Sequence, residues 1–277
     1  MANETINFNK FQLTIDNQDA GGRYYREPKF WADLSSPLQL EIIARFHPVT
    51  FLDIGANYGF TSLIHHSHNK NVEIIAVEAS PQLIPFLETN FKQNDLINHR
   101  IINAIVSEKD EEIVSFHLNP QGSQDNRVFG EAGWKDIPVK TLSINTITSE
   151  VKPEDFIWIK IDVQGYEERV FKGGESFLLE HSNWLIKSEF APYWLRSQGT
   201  DPVSFIEFLI SKYVVAEIPN RCRFRGDYLS SIVRNSLKSD DSLAFVNYIE
   251  SLAKRSSGVG IGWCDLLILP LSLAEQI

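Results

Sequence analysis

The chain has 277 residues, a formal net charge of −10 and 43% hydrophobic residues, a balance that suits an α/β protein with a well-filled core and added arms. An overall negative field repels phosphate backbones and anionic lipid, so neither nucleic acid nor a membrane surface is an expected partner. Its two cysteines, Cys222 and Cys264, lack CxxC or framework spacing and read as reduced thiols. The start, MANETINFNK, has no apolar signal core, and no stretch reaches the ~18 apolar residues of a membrane-spanning helix. A soluble, cytoplasmic protein is expected.

In chain order, Met1 to Pro48 reads as a polar start, an aromatic-rich arm (GGRYYREPKFWADL, Gly21 to Leu34) and a short helix, PLQLEIIARF. From Val49 onward, short apolar runs alternate with amphipathic segments, the pattern of repeated βαβ units. The strands are VTFLD from Val49, EIIAVEA from Glu73, RIINAIV from Arg100, FIWIKIDV from Phe156 and WLIKSEF from Trp184. They are apolar on both faces, as buried parallel strands require. Helices fall near TSLIHHSH, PQLIPFLETNFKQN and YEERVFKGGESFLLE, with Pro81 in a first turn behind a Ser80 cap. EIVSFHLN alternates like an exposed edge strand and leads into a long polar loop, NPQGSQDNRVFGEAGWKD. A further helix (DPVSFIEFLISKY), VVAEIP and CDLLILP end the chain, the last as an antiparallel strand beside the sixth. The fold expected is a Rossmann-like, doubly wound, seven-stranded α/β sheet in one domain. Its parts are an arm (1–48), a cofactor-binding core (49–219), a helical insertion (220–262) and a final strand with tail (263–277).

The stretch FLDIGANYGF carries the chemistry. The first strand ends at Asp53, and Gly55 and Gly59 flank Ala56 and Asn57 in the turn that follows. Glycine is needed where backbone passes close to a ligand or takes positive φ. The dinucleotide fingerprint G-x-G-x-x-G needs a middle glycine that G-A-N-Y-G lacks. Glu78, about 25 residues beyond Asp53, ends the second strand, where a carboxylate accepts both ribose hydroxyls. Ala79 follows it. Asn103 and Ala104, in the third strand, would edge the adenine site, or Asn103 faces its own turn.

Asp162 and Glu189 end the fourth and fifth strands, at the crevice where doubly wound sheets bind ligands. One of them can serve as a base toward a hydroxyl, or the two can hold a divalent ion that acidifies it. The alternative is that Asp162 only orders the cofactor's amino group while Glu189 pairs with Lys187, Arg196 or another cation. Gly165 would let backbone approach the cofactor, and Glu167 would favour the next helix's dipole. His65, His66 and His68 read as a solvated helix end rather than a metal site, so no metal ligand is assigned. His117, on the edge strand, is an outside candidate for the base.

FLDIGANYGFTSL, AVEASPQLIPFLETN, INAIVSEKDE, KIDVQGYEERVFKGG and KSEFAPYWLRSQG together resemble the FkbM family of methyltransferases, over about Phe51 to Gly199. That resemblance implies S-adenosyl-L-methionine as cofactor, S-adenosyl-L-homocysteine as product, and methyl transfer to oxygen on a sugar or natural product. It places Gly55, Asn57 and Gly59 on the cofactor loop, Glu78 on the ribose and Asp162 near the methionine moiety. The arm and the insertion would shape the acceptor pocket. The insertion's Arg221, Arg223, Arg225 and Arg234 can grip an anionic or carrier-bound acceptor, or form a solvated surface cluster. An RNA or protein methyltransferase is the alternative, opposed by the acidic charge and by the lack of an N/D-P-P-[YF] stretch. An NAD(P)-dependent oxidoreductase is opposed by the missing fingerprint and by the lack of a Tyr-x-x-x-Lys pair near the fourth strand.

Overall fold

Apolar runs with few charged residues bury both faces, and here they assemble into the central sheet of a computed structural model that describes residues 3–27, 37–219, 227–255 and 261–277. The strands, in chain order, are β1 (Asn3–Asn7), β2 (Gln12–Asp16), β3 (Thr50–Ile54), β4 (Glu73–Val77), β5 (His99–Ile102), β6 (Ile105–Val106), β7 (Ile113–Leu118), β8 (Lys135–Leu142), β9 (Ile157–Ile161), β10 (Trp184–Phe190), β11 (Val214–Ile218) and β12 (Cys264–Leu269). The helices are α1 (Ala20–Tyr24), α2 (Pro37–Phe46), α3 (Phe60–His68), α4 (Ile84–Gln93), α5 (Ile144–Ile147), α6 (Glu167–Gly173), α7 (Glu175–Glu180), α8 (Pro192–Ser197), α9 (Pro202–Lys212), α10 (Tyr228–Val233), α11 (Ser242–Arg255) and α12 (Leu271–Ala274).

Seven strands form one sheet in the order β11-β12-β10-β9-β3-β4-β5. Every pairing is parallel except those of β12, which runs antiparallel between β10 and β11. The period of two along each strand sends alternate residues to opposite faces. Phe51, Ile74, Trp158 and Leu267 pack into one core layer, and Leu52, Ile75, Ile159 and Ile268 into the other. All seven expected strands are present. RIINAIV divides, however: β5 stays in the main sheet, while β6 leaves it to pair with β8 in a three-stranded sheet completed by β7.

Two helices depart from their expected bounds. Pro81 and Ser80 lie ahead of α4, whose first turn instead holds Pro85. Ser80 is occupied elsewhere, because its amide donates to the Glu78 carboxylate at 2.8 Å. The run Tyr166 to Glu180 breaks at Gly174 into α6 and α7, and a Cβ there would press on Ile144 at 3.1 Å. The polar start is an antiparallel hairpin of β1 and β2. Asn90 of α4 binds it with both ends of its amide, accepting from Thr14 N and donating to Thr14 O.

His65 and His66 do not form a solvated helix end. His65 is fully buried, its ring stacked on Phe51 with centroids 4.5 Å apart. Burial pushes its pKa from 6.5 down to about 3. The unfolded chain therefore binds a proton that the fold refuses, so stability present above pH 6.5 is lost as pH falls toward 3. Urea denaturation at pH 7 and pH 5 is expected to show a smaller drop for His65→Leu than for the parent. An equal drop would place the acid sensitivity elsewhere.

No helix among the described residues is long and apolar enough to cross a membrane. Cys264 is buried and free, while Cys222 lies outside the described residues. Between β11 and β12, α10 packs on α2, where Glu41 accepts from the amides of Tyr228 and Leu229.

Candidate functional site

The turn after β3 is made of backbone that most residues resist. Gly55 has φ +77° and Gly59 φ +82°, and Asn57 is left-handed at φ 51°. The amides of Gly55 and Ala56 both donate to Val77 O, which ties the turn to the end of β4. The two glycines serve different ends. A Cβ on Gly55 would stand 2.0 Å from Asp162 O, so only glycine lets the β3 and β9 ends close on each other there. A Cβ on Gly59 would meet Leu87 and Phe91 at 2.9 Å. Gly59 thus serves helix packing and does not line the cavity beside the turn.

That cavity, of about 1030 Å³, lies at the carboxyl ends of β3, β4, β9 and β10 and is lined by Gly55, Ala56, Asn57, Glu78, Ala79 and Ala104 among others. Glu78 is buried and held in place by two amides, Asn57 N at Oε2 and Ser80 N at Oε1, each at 2.8 Å. Burial raises its pKa against the pull of those amides and of Lys160. Each oxygen keeps a further lone pair for a ligand hydroxyl. Val77, Ala79, Ala104 and Val106 give an apolar wall beside it. Asn103 does not line the cavity; its amide donates to Glu78 O and Ala79 O, fixing the β4 end from behind. A glycine cradle, an oriented carboxylate and an apolar wall fit an adenosine-bearing cofactor.

Lys160, which the sequence reading passed over, organises the other side. Its Nζ donates to Gly55 O at 2.7 Å and lies 3.5 Å from both Asp53 Oδ1 and Asp162 Oδ2. Burial disfavours its charge, but Asp162 and Asp53 outweigh that and hold its pKa above the usual lysine value. Asp53 is completely buried, takes Ser62 Oγ at 2.7 Å and does not line the cavity. It supports the turn from beneath. The available signal was a lysine inside an apolar strand, two residues before Asp162 and so on the same face.

Asp162 and Glu189 both line the cavity, and Gln164 joins them. Its Nε2 donates to Asp162 Oδ1 at 3.0 Å and to Glu189 Oε2 at 3.2 Å. Burial pushes the Glu189 carboxyl well above its ordinary range, and the charges of Asp162, Glu167 and Asp265 push the same way. Glu189 pairs with neither Lys187 nor Arg196. Lys187 bonds Asp265 at 2.9 Å, and Arg196 pairs with Glu250. Glu167 is buried beneath the loop, accepting from the amides of Val163 and Gly165, and burial pushes its pKa up to about 7. Gly165 makes room for Trp194 O, which a Cβ would meet at 2.3 Å, rather than for a ligand.

His117 is not brought to the cavity. Its Nδ1 contacts Val128 O at 2.6 Å, and its backbone bridges to Arg127. The arm, by contrast, reaches it: Tyr24 and Tyr25 line it. Asp19 caps α1 and also accepts from Tyr58 Oη, Ser123 N and Ser123 Oγ, fastening the arm to the loop after β7. Arg221, Arg223 and Arg225 lie outside the described residues, while Arg234 is exposed and does not line the cavity. Among the described residues no group of three or more His, Cys, Asp or Glu side chains is disposed to hold a metal.

Comparison with known proteins gives the chain a family. No curated protein matches it. Among solved structures, the plantazolicin methyltransferase BamL, in complex with a triazolic desmethylPZN analog and SAH, is 13% identical, with TM-score 0.46 over 89% of this chain and 88% of that one. The precorrin-6y C5,15-methyltransferase from Geobacter metallireducens GS-15 is 14% identical, with TM-score 0.42 over 84% and 86%. M. jannaschii TYW2, in complex with AdoMet, is 10% identical, with TM-score 0.43 over 96% and 84%. The methyltransferase FkbM domain model matches residues 53–225, more than half of the sequence, and the chain therefore belongs to the FkbM methyltransferase family.

Proposed function

We propose that this methyltransferase moves a methyl group from S-adenosylmethionine to a hydroxyl of a small molecule, sugar or natural-product intermediate. The observation that carries the oxygen acceptor is Glu189, a cavity-lining carboxyl held well above its ordinary pKa beside Asp162. A carboxylate of raised basicity suits removal of a hydroxyl proton. When bound, S-adenosylmethionine supplies an electrophilic methyl group on a sulfonium. Gly55, Ala56, Asn57 and Glu78 would hold it, with Ala79 and Ala104 against the adenine. Asp162, fixed by Lys160 and Gln164, orders the ligand end nearest Glu189. The chain then aligns the acceptor and keeps water out.

The arm and the segment 220–262 are read here as acceptor-shaping parts of one domain. Tyr24 and Tyr25 from the arm, and Tyr228 and Ile232 from α10, support this by lining the cavity. An acceptor that is anionic or carrier-bound fits the arginines at 221, 223 and 225.

Calorimetric titration with S-adenosylhomocysteine, with NADH as control, tests the cofactor. Micromolar binding of the former alone is expected, and binding of NADH alone would overturn the reading. Glu78→Ala removes charge-assisted acceptors worth about 1.5–3 kcal/mol, so it should weaken binding roughly ten- to a hundredfold. Parent-like binding by that variant would move the ribose site elsewhere.

A further inference from the structure

A second, smaller cavity of about 190 Å³ adjoins the first: Asp125 and Trp194 line both, and Asn119, Gln121, Arg127 and Trp134 complete most of its wall. Its main feature is Arg127, whose side chain is only 3% exposed. The guanidinium sits against two indole rings, 3.8 Å from the Trp194 centroid and 4.6 Å from that of Trp134. Its Nη2 donates to Glu131 Oε1 at 2.9 Å, but its Nη1 is buried with no partner. A guanidinium brings five donors, and a buried charged donor left unpaired is costly. The indoles satisfy its charge and its faces; they offer no oxygen to Nη1.

The charges around it restrict what could complete the set. Asp125 and Glu131 line the same cavity, so two carboxyls face one guanidinium. An incoming anion meets no net attraction, and a cation, though drawn by the carboxylates, brings no acceptor for Nη1. A hydroxyl suits both partners, accepting from Nη1 and donating to a carboxylate. Asp125 is exposed yet lines both the small cavity and the larger one, and partial desolvation there raises its pKa against the pull of Arg127.

We propose that the Arg127 cavity is a subsite for an uncharged, hydroxyl-bearing part of the methyl acceptor, with Arg127 as its specificity-determining donor. This rests on the reading of the neighbouring Asp162–Glu189 cavity as the acceptor site. The reacting hydroxyl would lie at Glu189, and a second oxygen of the same molecule would reach Arg127 past Trp194.

The test uses the full chain saturated with S-adenosylhomocysteine. Saturation-transfer NMR and calorimetry would follow myo-inositol as neutral polyol, sodium acetate as anion and tetramethylammonium chloride as cation. Myo-inositol should bind in the millimolar range and the two ions at least tenfold more weakly. Arg127→Lys, which keeps the charge but loses the planar fork, should weaken inositol binding tenfold or more. Asp125→Asn, at a less buried position, should weaken it at least threefold and serves if Arg127→Lys does not fold. Acetate or tetramethylammonium binding better than inositol would overturn the proposal, as would no inositol binding or binding indifferent to both variants. Failure of S-adenosylhomocysteine to bind would instead sink the cofactor reading itself, which separates the two failures.

Discussion

Glu189→Gln is expected to lower kcat for methyl transfer by about 10²- to 10⁴-fold, the range attributed to a positioned general base, while leaving S-adenosylhomocysteine binding close to that of the parent. The amide keeps the shape and the contact region of Gln164 but cannot take a proton. The parent should also show a rising pH limb that the variant lacks. The sign follows from the direction of the shift. A base works only when deprotonated, and burial together with Asp162, Glu167 and Asp265 raises the Glu189 pKa. Activity therefore rises with pH through that raised value rather than through the ordinary carboxylate range. Turnover of a hydroxylated acceptor found by screening, measured across pH for both proteins, checks this. A variant within threefold of the parent, or one that keeps the limb, would remove Glu189 from the base role.

Lys160→Met should cost about 3–5 kcal/mol of stability, the range for breaking a buried ion pair from one side. Lys160 is 12% exposed and Asp53 0%, so methionine leaves the Asp53 carboxylate buried without a counter-charge. Gly55 O loses its donor in the same step. Asp162, at 41% exposure, is largely wetted and adds little. The double variant Asp53→Asn/Lys160→Met should recover most of the loss, since it removes the stranded charge. Urea denaturation of parent, single and double variants gives the comparison. A single-variant loss below 1 kcal/mol, or no recovery in the double, would show that Lys160 is not the counter-ion of this turn.

What could be read from the residues depended on whether burial or polar contact fixed each position. The seven main strands were legible because both their faces are buried, which leaves unbroken apolar runs. β8 was not: half of its residues are exposed, it carries Pro138, and its alternation begins only at Ile137. β1 and β2 are short and largely polar; Leu13 and Ile15 enter the core, but the contacts of Asn90 and the packing of Phe8 and Phe11 on Phe60 are announced by no local pattern. His65 misled because histidine on a helix usually faces water, whereas here a ring of the right shape fills the space above Phe51. Gly55, Glu78, Asp162 and Glu189 line one cavity, and their places at strand ends are what singled them out in the sequence. Lys160 and Gln164 were missed because their roles depend on which strand end lies opposite them. Gly59 and Gly165 were expected to let backbone approach a cofactor, but what presses on them is protein.

The bridging amide of Gln164 also dictates where a proton can rest. An NH2 group only donates, and both of its neighbours are carboxylate oxygens, Asp162 Oδ1 and Glu189 Oε2. Each of those two oxygens already accepts a hydrogen bond that favours its charged form, so each is a poorer resting place for a proton than its unbridged neighbour. A proton arriving at Glu189 is therefore favoured on Oε1, and one arriving at Asp162 on Oδ2, the oxygen facing Lys160. The lysine's positive charge disfavours the second, which leaves Glu189 Oε1 as the favoured landing point. The pair of carboxyls is thereby made directional, with one of its four oxygens preferred as the place where a proton comes to rest.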